Sequence, residues 1–266
     1  MGFDYEHQPP SPKEQHQRLV ALRELTSRGI PCILWGEDAL NYVHRVPTYL
    51  FDQQILVPDE LLESASSVLR EGRYVTVPFT PPYTDYRGGT GGDSAFPGGI
   101  LLKHPDVPDD DPDKPELEPL PAYILLLPQS YFGLDVRSEE RFQSLVPPLD
   151  SDNADILVPK HHTFLEGLVA FNVSPPIPLH TPHARQRVRH DIFIGYLLRY
   201  RVKYEDDPDG LVPPPEELHP EERVILSELQ TEEARWYIRM YMSGRAPGFD
   251  ELREYNHRRA RNEVPL

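Results

Sequence analysis

Two short apolar segments joined by a glycine turn constrain this chain more than any other feature. The first is Ile30-Pro31-Cys32-Ile33-Leu34-Trp35, which runs into Gly36-Glu37-Asp38-Ala39-Leu40; the second is Phe51-Asp52-Gln53-Gln54-Ile55-Leu56-Val57. The spacing predicts a strand over 30–35, a short helix over 37–44 broken by Pro47, and a second strand over 49–57. Residues i and i+2 of a strand share a face, so Asp52 and Gln54 are expected side by side above one surface. Metal-dependent phosphoryl transfer would place two carboxylates there, and this chain offers one carboxylate and one amide.

The flanking sequence fits an α/β chain. Leu19, Leu22 and Leu25 recur at helical spacing within 12–28, and Gly29 is a natural stop. Leu61, Leu62, Ala65, Val68 and Leu69 form an apolar stripe closed by Gly72, and a strand is expected over 74–79. Further strands are expected over 99–103, 122–127 and 156–158, followed by a helix over 160–173. Beyond Pro175, Pro176 and Pro178 the pattern turns helical, over 182–203, 220–243 and 249–262. The expected organisation is a flexible N-terminus over 1–12, a core over 13–175 and a helical C-terminal extension over 176–266. Two runs interrupt the core. Residues 83–97 are Gly-rich but lack the Lys-Ser/Thr ending of a P-loop, which favours a mobile loop. Residues 105–119 are rich in Asp, Glu and Pro and read as a solvated insertion.

The chain has 266 residues, 38% of them hydrophobic, with 14 Tyr and 10 Phe, enough for a packed core. Its net charge of −16 argues against general nucleic-acid binding, which draws on Lys and Arg fields. No run approaches the roughly 20 apolar residues of a membrane span. The N-terminus lacks the apolar stretch of a signal peptide. Cys32 is the single cysteine and falls inside a predicted strand, so a reduced, intracellular and cytoplasmic setting is expected.

By Gly36 to Val57 the chain resembles the nucleotidyltransferase superfold, and more closely a group of uncharacterised fungal proteins with that fold. The resemblance is carried by Arg28-Gly29-Ile30-Pro31-Cys32, Trp35-Gly36-Glu37-Asp38-Ala39-Leu40, Asp52-Gln53-Gln54-Ile55-Leu56-Val57-Pro58 and Pro159-Lys160-His161-His162-Thr163-Phe164. It spans about residues 15–175. It implies a mixed sheet flanked by helices, with Gly36 as the turn that approaches a nucleotide phosphate. Glu37 then stands at the family's second Gly/Ser position, and Asp52 matches the first metal-binding acid. Gln54 stands where the second acid belongs, and neither 100–103 nor 122–127 supplies a third.

Mg²⁺ wants carboxylate oxygens, so one acid beside an amide removes most of what such a reaction needs. The expectation is therefore a degenerate, non-catalytic member of the fold, without a resident cofactor, binding a nucleotide or other small ligand or a partner protein. Gly36, Glu37, Asp38, Asp52, Gln54 and His162 are its candidate ligand-binding residues. One alternative is an active enzyme in which Asp52, aided by Glu37 or Asp38, holds Mg²⁺. Another is a protein-interaction scaffold without a ligand. Zinc binding by His161, His162, His180, His183 and His190 is less favoured than surface or helix-start roles. Arg185, Arg187, Arg189, Arg199, Arg201 and Lys203 read as a solvated basic face, with meeting a polyanion, pairing with the acidic insertion or lining the cleft as alternatives.

Overall fold

The computed structural model describes residues 11–48, 50, 52–78, 98–104, 121, 123–146, 149, 151–175, 181–202 and 218–261, without the side chains of 181–186. The Gly-rich run 83–97, the acidic run 105–119, His180, Lys203 and the side chains of His183 and Arg185 lie outside the described residues.

The chain opens with α1 (Pro12–Arg18) and α2 (Val20–Ser27). A single helix is expected from the Leu spacing. The observed break falls at Leu19, whose ψ opens to 9° while both Arg18 and Leu19 are buried. Gly29 ends α2 with φ of 70°, the left-handed conformation that glycine adopts without a Cβ penalty. β1 (Ile33–Trp35) and α3 (Gly36–Tyr42) follow, then β2 (Gln53–Val57), α4 (Leu62–Glu71) and β3 (Val75–Thr76). β4 (Ile100–Lys103), β5 (Tyr123–Pro128), β6 (Phe142–Ser144) and β7 (Leu157–Pro159) complete the sheet.

The described strands form one mixed sheet in the order β3-β4-β5-β2-β1-β7-β6. β2 runs antiparallel to β1 and parallel to β5, and β1 runs parallel to β7. Strands β1, β2 and β5 are buried along their whole length, which explains their near-continuous apolar runs. The architecture is thus α/β, with the sheet flanked by helices. α2 packs with α4, and α4 lies against β4 and β5.

Three further expectations need correction, and one strand is new. β2 begins at Gln53, so Asp52 sits in the bend before the strand and not within it. The strand expected over 74–79 is reduced to Val75 and Thr76. β6 carries no apolar alternation and was not expected. The helix expected over 220–243 is two, α7 (Pro220–Glu228) and α8 (Glu232–Met242). Leu229 is extended with ψ of 130°, and the Thr231 hydroxyl caps α8 by accepting from Ala234 N at 3.2 Å.

The C-terminal helices are joined to the core by buried polar groups as well as by apolar packing. Asn172 of α5 (His161–Val173) donates to Asp191 of α6 (Thr181–Arg201) and to the Tyr237 hydroxyl of α8, each at 3.0 Å. That hydroxyl donates on to Asp191 at 2.6 Å. Asn256 of α9 (Phe249–Ala260) reaches the Val173 carbonyl at 2.8 Å. Among the described residues no helix is long and apolar enough to cross a membrane.

Trp35 centres the packing of α5 on the sheet, with Phe132 and Phe164 at 4.5 and 4.4 Å between ring centroids. Gly167 lets α5 come this close, since a Cβ there would lie 2.7 Å from the Trp35 ring. Gly167→Ala should therefore lower stability by about 1–3 kcal/mol, the usual cost of overpacking, as measured by urea denaturation. An unchanged midpoint would contradict this packing.

Candidate functional site

The turn between β1 and α3 is built for close approach. Gly36 has φ of 68°, and a Cβ there would stand 3.0 Å from the Gln54 side-chain carbon and 3.1 Å from its oxygen. Gln54 faces Trp35 across the β1–β2 pairing. The space above the glycine is thus taken by the Gln54 amide.

Each acid at this turn meets an arginine. Glu37 and Asp38 stand in the first turn of α3, where the helix dipole favours negative charge. Asp38 is fully buried. Arg18, the last residue of α1, holds it in a fork: Nε donates to Oδ1 at 2.5 Å and Nη2 to Oδ2 at 3.0 Å. Burial works against the Arg18 charge, but Asp38 outweighs it, with Tyr42 and Asp52 adding to the pull, and the guanidinium stays above its ordinary value. Burial pushes the Asp38 carboxyl up, with Arg18 pulling the other way. Glu37 is held by Arg189 of α6, whose Nε and Nη2 donate to Oε1 at 3.1 and 2.5 Å. Asp52 is buried within the field of Arg18. Gln53, its neighbour, donates from its side chain to the Arg18 carbonyl at 3.0 Å. The Tyr42 hydroxyl is pushed well up by burial first and Asp38 second.

The structure therefore brings Gly36, Glu37, Asp38, Asp52 and Gln54 together around one turn. His162 stands elsewhere. It is the second residue of α5, partly exposed, and its charged neighbours are Glu166, Glu228, Arg141 and Lys160, none of them on α3 or β2. His161 is engaged at both ring nitrogens. Arg201 can only donate, so Nδ1 accepts from it at 3.0 Å and Nε2 carries the proton to the Leu197 carbonyl at 3.0 Å. His44 contacts the Pro159 carbonyl at 3.1 Å and stacks edge-on against His161. Neither ring nitrogen of His161 is open to zinc. Among the described residues no group of three His, Cys, Asp or Glu is placed to hold a metal ion. Cys32 is buried and its thiol is pushed up to about 12 by burial, as befits an inert core residue.

The basic helix reads differently in three dimensions. Arg187 and Arg189 are buried, not solvated. Arg187 contacts the Pro247 carbonyl and the Phe249 ring, while Arg201 grips Glu228 at 2.7 and 2.9 Å. Arg18 is the site residue that sequence reasoning missed, and Arg189 was expected only as part of a basic face or cleft wall, without its acid partner. Their partners lie 20 and 152 residues away, and no local pattern announces such pairs.

Comparison with protein-family models, with curated proteins and with solved structures returned no match.

Burial lowers His44 to about 3 and His161 to about 4 from an ordinary 6.5. The unfolded chain binds these protons first, so stability should be full above pH 6.5 and fall as pH drops toward 4. Each imidazole contributes up to about 1.4 kcal/mol per pH unit. Unfolding midpoints across this range should show the slope, and His44→Gln should flatten it.

Proposed function

We propose that this chain is a degenerate nucleotidyltransferase-fold protein that does not transfer nucleotides and works by binding, with the Gly36–Asp52 cleft as its ligand site. The observation that carries this reading is the buried Arg18–Asp38 fork within reach of Asp52. An active enzyme of this kind needs clustered carboxylates free to hold a divalent ion, because phosphoryl transfer rests almost entirely on positioning and charge stabilisation. Here Asp38 is matched by Arg18, Glu37 by Arg189, and the second acid position is an amide packed on Gly36. These engagements also speak against the alternative in which Glu37 or Asp38 helps Asp52 hold Mg²⁺. A nucleotide or other small anionic ligand would reach the Gly36 turn by displacing the Gln54 amide and drawing Arg18 or Arg189 from its acid.

A scaffold role is favoured by a separate observation. α6 exposes Val188, Ile192 and Tyr200, spaced by four and eight residues on one helix face. Such a stripe suits contact with a partner protein.

Incubation of the full chain with labelled nucleoside triphosphates and Mg²⁺ or Mn²⁺ should give no transfer above that of Asp52→Ala. Turnover that Asp52→Ala abolishes would overturn the proposal. Nucleotide should raise Tm, since a ligand selective for the folded state adds about 2.7 kcal/mol at a hundredfold excess over Kd. A Tm unmoved by any nucleotide would favour the scaffold.

A further inference from the structure

α1 is a short helix that lies largely in water. Among its residues only Arg18 is buried, and its start is closed by the Ser11–Glu14 capping box, with Ser11 N donating to Glu14 at 2.6 Å. Its other end is tied to the core by polar contacts. The guanidinium enters beside α3 to grip Asp38, and the Arg18 carbonyl accepts from Gln53. Leu19, buried and with ψ of 9°, joins α1 to α2, and Arg23 of α2 contacts the His16 carbonyl of α1.

The groups that surround this guanidinium are hard oxygens. They are the two Asp38 oxygens, the Asp52 carboxylate and the Tyr42 hydroxyl, while the Gln53 amide nitrogen donates to the Arg18 backbone carbonyl. Gln53 is completely buried and Tyr42 is 2% exposed. Among the described residues, Gln53 Oε1 and the Tyr42 hydroxyl have no hydrogen-bond partner. Buried oxygens of this kind suit a hard cation, which takes carboxylate, amide and hydroxyl oxygens together. Arg18 brings one positive charge toward the two carboxylates, and a divalent ion brings two. A guanidinium does not lose its proton in a protein, so the charge can leave only if α1 moves.

We infer that α1 is an internal plug: Arg18 supplies from within the chain the charge that a hard divalent cation would otherwise bring to Asp38 and Asp52 beside the Tyr42 hydroxyl, and the site admits such a cation only when Arg18 is withdrawn. This regulation concerns the cleft of the proposed function and rests on that reading. A partner or ligand that lifts α1 would expose the carboxylates, and one that presses it down would keep them closed.

The test uses the full chain and Mn²⁺ alone, with bound ion read from loss of the free-ion electron paramagnetic resonance signal. The wild type should leave the signal unchanged at equimolar Mn²⁺. Arg18→Gln should bind one equivalent and gain about 3–5 °C in Tm with excess Mn²⁺. Adding Asp38→Asn to that variant should abolish both effects. The plug is overturned if folded Arg18→Gln binds no Mn²⁺, if the wild type binds it equally, or if binding survives Asp38→Asn. Where Arg18→Gln does not fold in buffer, its refolding is read by circular dichroism: recovery with Mn²⁺ and not with K⁺ supports the plug, and no recovery overturns it. Nucleotide transfer by the wild type would sink the silent reading of the cleft, whereas failure of Arg18→Gln to bind Mn²⁺ removes only the plug.

Discussion

A guanidinium and a carboxylate, 4% and 0% exposed, lie 2.5 Å apart at the point where α1 meets α3. Removing two charges from water costs several kcal/mol each, and only good geometry and further hydrogen bonds offset it. The fork of Nε and Nη2 on the two Asp38 oxygens provides that geometry, and Gln53 ties down the backbone of the same arginine. Such a pair adds little net stability compared with apolar residues of similar size. What it provides is register. Arg18 fits where an acid awaits it, so α1, α3 and the start of β2 are fixed relative to one another.

Glu37 and Arg189 repeat the arrangement one residue earlier and from the other end of the chain. The turn at Gly36 is therefore clamped by an arginine from the first helix and by one from the long C-terminal helix. The buried Asn172–Asp191–Tyr237 network holds that helix in place against α5 and α8. The C-terminal helices are thus part of what shapes the candidate site. Gln54 completes the closure by lying on the glycine where close approach would otherwise be open.

The β1–Gly36–α3–β2 unit was readable from sequence because burial on both sides of a sheet leaves continuous apolar runs, and Gly36 punctuates them. The pairing of Asp52 and Gln54 near that glycine was readable for the same reason, although Asp52 falls in the bend before the strand. The partners of the acids were not readable. Arg18 and Arg189 sit on helices whose charged residues normally face water, and nothing within a few residues of either reveals a buried carboxylate. The break between α7 and α8 was hidden because apolar residues continue across it, though Thr231 is a recognisable cap. β6, with Gln143 and Ser144 in three residues, carries no strand signature, and its pairing with β7 is a long-range outcome.

The central claim is that Arg18 and Asp38 form an ionised buried pair that fixes α1 against the Gly36 turn. A double-mutant cycle with Arg18→Met and Asp38→Leu, read by denaturant unfolding, tests it most directly. Each single change should cost about 3–5 kcal/mol by stranding a buried charge, and the double mutant should be more stable than either single. Losses that simply add would contradict the account.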